Sequence, residues 1–501
     1  MRYRFDGMKI RVPLLRALTC AAVAVAVAAC SEQETGPVEI AAIGSQPRLA
    51  DPNAAPLDPP SALLLEGAAQ GLVRFNAEGE IEPALAQSWI VSDDGLRYTF
   101  RIRRTEWSGG GRVTAAQVVA RLRAVSARTS RNPLKPILGL VDGIEAMTDE
   151  VLEITLKGPR DHFLQLLASP EMAILQGQSG TGPFRPTRQP DGSVLLSLPA
   201  PEDEPDDAVL EPPIALRGER ASAAIARFAS GAADLVTGGT AGDLPIVRAA
   251  EPAAATLRFD PVGGLFGLVF QRNEGPFAEA QVRRALAMSV DRDAIVSALG
   301  VPGAAGRSSL LPGGLEEVPS PAAPDWATLP LPTRRQAAAA TLAGLREAGS
   351  EDGVEAEPLR LRVAMPDGLG YRLIFAFLRR DWRAIGVEAE RVAPSADADL
   401  RFVDEVAPAT MAAWYLRHFT CEASRICDSI ADESLAAARL TPVPAERRAL
   451  LAKADRALAE LAVFVPISAP ARWSLVSPRL TGFRVNSYAR HSIGELIAIV
   501  R

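Results

Sequence analysis

Two apolar rhythms interleave along this chain, and no fold built from one kind of element can satisfy both. Leu96 to Arg103 alternates apolar and polar residues after the turn Ser92-Asp93-Asp94-Gly95, which is the two-residue period of a half-buried strand. Val151 to Leu156 is a second strand, entered from the turn Thr148-Asp149-Glu150. Between them Thr114 is placed to cap a helix over 115–128. Gln281 to Leu299 reads as a helix with apolar Val282, Ala285, Leu286, Ile295 and Leu299; the face carrying Val282, Ala285 and Leu286 is read as core, and Arg283, Arg284, Asp291 and Arg292 as solvated or lobe-bridging. Thr333 is read as the cap of a helix through Glu347 that ends at Gly349. A strand from Leu361 to Met365 leads into a helix over 370–385, stopped at Gly386. A helix from Ala445 to Leu461 precedes strand-like Val463 to Ile467. Stretches 186–213 and 312–332, rich in Pro, Gly and acids, read as surface loops. No segment repeats another, and the mixture predicts an α/β or mixed α+β fold.

The first thirty residues obey a different rule. Lys9, Arg11 and Arg16 precede a mostly apolar run from Ala17 to Ala29 that ends in Val27-Ala28-Ala29-Cys30. This is the basic and apolar pattern of a secretory signal, and the run is shorter than the roughly 20 residues a membrane-spanning helix needs. Met8, directly before Lys9, is a second candidate start. The ending resembles a bacterial lipobox, with Cys30 lipidated as residue one of the mature chain and 30–37 as a lipid-anchored tether. Plain cleavage is the rival reading, although Val27-Ala28-Ala29 is not quite an A-x-A site. Losing residues 1–29 removes five basic residues (Arg2, Arg4, Lys9, Arg11, Arg16) and Asp6, taking the formal charge from −6 to −10. Neither value gives an electrostatic reason to expect nucleic acid as partner. With 48% hydrophobic and 23% charged residues, wholesale disorder is excluded. Aromatics at 5% weigh against a carbohydrate platform.

Cys20 and Cys30 fall in the leader, so Cys421 and Cys427 are the cysteines of the body. A close even pair in an exported chain is most simply a disulfide. His418 and Asp428 flank the pair, but His-x2-Cys-x5-Cys is not a standard zinc spacing, and no metal or cofactor is expected.

Several segments, in order, resemble one family. They are Gly71 to Trp89 with Glu82-Pro83-Ala84-Leu85-Ala86, Val91 to Phe100, Trp107-Ser108, and Val113 to Val118. They continue with Gly180-Thr181-Gly182-Pro183-Phe184, Phe228 with Gly231 to Leu235, Val282 to Val296, and Phe483-Arg484-Val485-Asn486 with His491. Together these resemble the extracytoplasmic solute-binding proteins of ABC transporters, in the peptide/nickel class, from about residue 38 to 501. Read from the residues alone, Trp89, Phe100 and Trp107 are core anchors. Gly180 and Gly182 set a turn, since neither phosphate-loop pattern follows them.

The resemblance implies a two-lobed periplasmic-binding-protein-like fold with an inserted small domain and a ligand cleft between lobes. The implied division is a core lobe of 38–50, 180–263 and 475–501, an inserted subdomain of 51–179, and a second lobe of 264–474. It implies a monomer on the periplasmic side of a bacterial membrane that captures a peptide or other small solute and delivers it to ABC permease subunits. No chemistry is done on the solute. Peptide-binding members carry a Trp and then an acidic receptor for the peptide amine. Here Trp414 and Tyr415 are followed by Arg417 and His418, which suit a carboxylate or phosphate. The bland alternative is interlobe packing for Trp414 and Tyr415, a surface charge for Arg417 and an ordinary hydrogen-bonding role for His418, and Asp404 or Glu405 still offers an amine receptor. Phe266, or Phe270 on the same strand, and Arg48 in the loop Gln46-Pro47-Arg48 are further cleft candidates.

An exported hydrolase is the rival class, and a solute-binding sensor uncoupled from transport a third. The histidines are His162, His418 and His491, with neither G-x-S-x-G nor H-E-x-x-H in the chain. Carboxylate pairs for glycoside chemistry are abundant, and only the fold sets their distances.

Overall fold

The computed structural model describes residues 36–199, 212–348 and 358–496. The leader, Cys30 and Gly349 lie outside the described residues. Strands from distant parts of the chain assemble a seven-stranded sheet, in the order Leu257–Phe259, Arg472–Val476, Leu235–Thr240, Val38–Ile43, Ile214–Glu219, Val194–Ser197, Arg185–Arg188. Val38–Ile43 lies at its centre and runs parallel to both neighbours. Ile40, Ala41 and Ala42 are buried there, as both-face coverage of a parallel centre requires.

A five-stranded sheet is built from Val387–Val392, Leu359–Ala364, Leu400–Val406, Gly264–Phe270 and Phe464–Pro466. Its strand Gly264–Phe270 is a continuous apolar run, buried at all but Val269. The helix Leu369–Arg383 packs beside the strand Val387–Val392 of this sheet and buries Ile374, Leu378 and Trp382. A four-stranded antiparallel sheet of Ala86–Val91, Arg97–Ile102, Val151–Leu156 and Val141–Ala146 stands apart, covered by the helix Ala115–Val125. The chain passes between the two large sheets at 260–263 and again at 467–471. These are short connections of four and five residues.

Several sequence expectations meet a physical correction. The predicted helix over 281–299 is two helices, Ala280–Met288 and Arg292–Leu299. Asp291 breaks it, because its carboxylate accepts the Ala294 N–H and caps the second helix. Arg283 and Arg292 are buried rather than solvated. Arg283 donates to the carbonyls of Leu461, Phe277 and Ala278, and Arg292 to those of Arg307, Pro466, Val290 and Ala287. A guanidinium that satisfies several backbone acceptors is tolerated inside, although burial pushes Arg292 down to about 9.

Thr333 is not a cap: its helix, Leu331–Ala348, begins two residues earlier with Pro332 in the first turn, where a missing N–H costs nothing. The stretch 186–213 is not all loop. Its described part forms a hairpin of Arg185–Arg188 and Val194–Ser197 that turns at Gly192, whose φ is +84°. Gly180 and Gly182 answer to close approach rather than to a turn. A Cβ on either would lie 2.3 Å from a backbone oxygen, that of Ala68 or of Gly67. Thr114 caps its helix as read, in a reciprocal capping box with Gln117, but the helix is Ala115–Val125 and stops short of the expected 128. Phe100 and Trp107 are buried, and Trp89 packs against the core.

Candidate functional site

A cavity of about 570 Å³ lies where the large sheets and the inserted segments meet. One wall is the helix Pro59–Ala68, started by Asp58, whose carboxylate accepts the Ser61 N–H. This helix presents Ala62, Leu63 and Glu66 to the cavity. The seven-stranded sheet contributes Thr237 to Thr240 and Arg472 to Ser474. A Cβ on Gly239 would lie 2.2 Å from Cε2 of Trp473, so only glycine lets the indole come this close. Trp473 is then fixed by its Nε1–H donating to the Thr240 carbonyl, 3.0 Å away. The five-stranded sheet sends in Glu405 and Val406, and the helix Ala412–Leu416 adds Trp414, followed by Arg417 and His418. The C-terminal segment supplies Tyr488 to His491.

Most charges in this cavity are already matched. Arg472 pairs with Asp404 at 2.7 Å, and Asp404 also accepts the Tyr371 hydroxyl at 2.5 Å. That carboxylate is therefore spent on protein partners. His491 meets Asp260 at 3.2 Å, Arg490 meets Glu171 at 3.2 Å, and His418 meets Glu405 at 3.4 Å. The His418 contact holds the Glu405 carboxyl below its usual range. Glu66 behaves oppositely: burial pushes it up to about 7 against the pull of Arg74 and Arg490. Arg417 has no ion pair among the described residues, and its Nε is buried without a hydrogen-bond partner. Burial pushes its guanidinium down to about 10, so it is still charged at neutral pH.

The sequence candidates divide. Trp414 and Arg417 line the cavity, with His418 and Glu405 beside them. Tyr415 is buried behind Trp414, ring to ring at 4.8 Å, and is absent from the lining. Phe266 and Phe270 are fully buried, with Phe266 edge-on to Phe402 at 5.0 Å. Core packing consumes both rings, because every side chain of this strand except Val269 is buried. Arg48 is exposed and lies outside the lining. Cys421 and Cys427 are joined as a disulfide just beyond His418. Sequence reasoning missed Glu66, Asp260, Arg472 and Arg490, whose segments are far apart in the chain. The signals available were the glycine pair Gly238-Gly239 and the polar cluster before the C-terminus.

The description "Bacterial extracellular solute-binding proteins, family 5 Middle" matches residues 80–419. Among curated proteins, the chain is 28% identical over 262 residues to the probable deoxycholate-binding periplasmic protein YgiS of Escherichia coli (strain K12). That match covers 45% of this chain and 48% of YgiS, so the chain spans about half the length of this relative. It is 24% identical over 490 residues to di/tripeptide-binding protein 1 of Pseudomonas aeruginosa, covering 85% of this chain and 88% of that protein. Among solved structures, Haemophilus influenzae OppA in complex with RPPGFSPFR superposes with a TM-score of 0.78 at 19% identity, over 92% of this chain and 98% of that one. AgaA in complex with agropinic acid, from A. tumefaciens R10, gives 0.72 at 19% identity over 92% and 97%. At such identities the superpositions speak for the fold, which is that of an OppA-type periplasmic binding protein of mixed α/β build. With the family description matching well over half of its length, the chain belongs to the bacterial extracellular solute-binding proteins, family 5.

Proposed function

We propose that this chain is the substrate-binding component of an ABC importer, which captures a peptide or another small solute outside the inner membrane and hands it to a permease. The observation that carries this reading is the cavity of about 570 Å³, walled by both large sheets and by segments from both ends of the chain. Such a cavity has the size range of a small-molecule site, and it lies beside the connections that let one sheet swing against the other. The relatives are named as binding proteins for ligands as unlike as deoxycholate and di/tripeptides, so the lining rather than the family selects the solute. Trp414 supplies an aromatic wall and Arg417 a cation with no ion pair among the described residues. Tyr415 supports Trp414 from behind.

The division into a core lobe of 38–50, 180–263 and 475–501, an inserted subdomain of 51–179 and a second lobe of 264–474 belongs to the same proposal. So does a monomer held to the membrane through Cys30. Replacing that residue, Cys30→Ala, moves the protein from the membrane to the soluble fraction; retention at the membrane overturns the anchor.

The decisive experiment is thermal-shift screening with di- and tripeptides, bile acids, organic acids and Ni²⁺. A ligand of the native state raises the melting temperature in a saturable way. Trp414→Ala removes the response to a true cavity ligand. A hit whose affinity survives that substitution counts against this cavity, and a panel without hits counts against solute capture.

A further inference from the structure

Behind Trp414 lies a second, smaller pocket of about 70 Å³, which shares Trp414 and Arg417 with the main cavity. Its charge lining is lopsided: Arg160, Arg417, Arg439 and Arg447 face a single acid, Glu317. None of the four guanidinium groups makes an ion pair among the described residues. Glu317 is itself occupied, accepting the Ala412 N–H at 2.8 Å.

Arg160 and Arg447 are 8% and 6% exposed, so neither charge is dissipated in bulk water. Arg160 donates to the backbone carbonyls of Pro159, Ala438 and Arg439. Arg447 has one long contact of 3.5 Å to the Thr441 carbonyl, and its Nε is buried with no partner. The Nε of Arg417 is in the same position. Carbonyl dipoles offer partial charge only, which leaves the pocket strongly positive. Burial, and then Arg447, push Arg160 down to about 10, the direction that crowded cations produce.

Natural interiors rarely hold an unmatched charge, because an unpaired buried ion costs several kcal/mol. Here two arginines with partnerless buried Nε atoms line a space that holds several waters at about 10–15 Å³ each, or one compact anion. The planar fork of arginine matches the paired oxygens of carboxylate and phosphate groups.

We propose that this pocket is an oxyanion subsite that receives a carboxylate or phosphoryl group of the solute held in the main cavity. Arg417 bridges the two chambers and Arg447 forms the inner wall. The proposal rests on the reading of the main cavity as a solute site and narrows the solute to one with an anionic end.

The test uses the purified full chain and inorganic phosphate, titrated against potassium chloride at matched ionic strength. Phosphate is expected to give a saturable rise in melting temperature beyond that of chloride. Arg417→Gln and Arg447→Gln each weaken the apparent affinity about tenfold or more, as loss of a charged hydrogen-bond donor does. Should Arg447→Gln fail to fold, Arg417→Gln decides, since that side chain is only half-buried. No response beyond chloride, or equal affinity in Arg417→Gln, overturns the subsite.

A second arm compares matched solutes: tripeptides with free and amidated C-termini, and phosphomonoesters with their parent alcohols. Preference for the charged member supports a subsite filled by the cargo. Equal binding of both members overturns it while leaving solute capture intact. Binding of phosphate with no binding of any solute overturns the cargo assignment and, with it, the importer reading.

Discussion

At the scale of single residues, Glu66 is the carboxyl most at odds with its surroundings in the main cavity. Burial raises it from an ordinary 4.5 to about 7. In the unfolded chain the same group ionises near its ordinary value. Between about 4.5 and 7 the folded chain therefore holds a proton that the unfolded chain has lost. Stability contributed by protonated Glu66 is complete below that window and declines as pH rises through it. Glu66→Gln removes this dependence, so urea midpoints of the variant and the parent should diverge as pH rises from 5 to 8, the variant being the more stable at 8. Parallel pH profiles for the two proteins would count against a raised Glu66. Nothing near Glu66 in the sequence announces this, because Arg490 and Ser492 reach it from the other end of the chain. Trp414 and Arg417, by contrast, share one short segment, so the sequence alone sets them side by side as candidates. The burial of Arg283 and Arg292 was invisible for a related reason: the carbonyls that accept from them include those of Leu461 and Pro466, far along the chain.

At the scale of elements, periodicity located helices and strands well and their interruptions poorly. The strands at Arg97–Ile102 and Val151–Leu156 fall within a residue of their expected limits, since alternation alone decides which face is buried. The helix Leu369–Arg383 likewise ends just before Gly386. The break at 289–291 separates two apolar faces: at about 100° per residue Ile295 falls half a turn from Leu286, and apolar content alone does not mark where one helix ends and the next begins. The capping by Asp291 fixes the start of the second helix. Its Oδ1 lies 3.1 Å from the Ala294 nitrogen, and its own N–H donates to buried Asp381 at 2.8 Å. The backbone donor survives substitution and the cap does not. Asp291→Ala is expected to cost about 1 kcal/mol in urea unfolding, with Asp291→Asn close to the parent because its amide oxygen still accepts. Equal stability of the alanine and asparagine variants would show the cap to be idle. The glycines at 180 and 182 show a further limit of local reading, because their reason is a neighbouring backbone rather than a turn.

At the scale of the whole molecule, the chain crosses between its two large sheets at 260–263 and 467–471, and these crossings adjoin the cavity. Asp260 lies at the start of one, and Arg472 follows the other. Arg472 reaches across to Asp404 of the facing sheet at 2.7 Å, pinning the two sheets next to the site. A solute touching both sides gains contacts only when they approach, so it stabilises the closed form by its differential affinity for that form and by nothing else. Two consequences are measurable on the same sample. A solute that raises the melting temperature should also reduce the radius of gyration in small-angle scattering, in step with saturation. Trp414→Ala, which removes one wall, should abolish both responses together, because compaction and stabilisation are two readings of one equilibrium. A solute that saturates the thermal shift while the scattering curve stays that of the free protein would mean that binding is confined to one wall. The crossings at 260–263 and 467–471 would then be fixed connections rather than hinges.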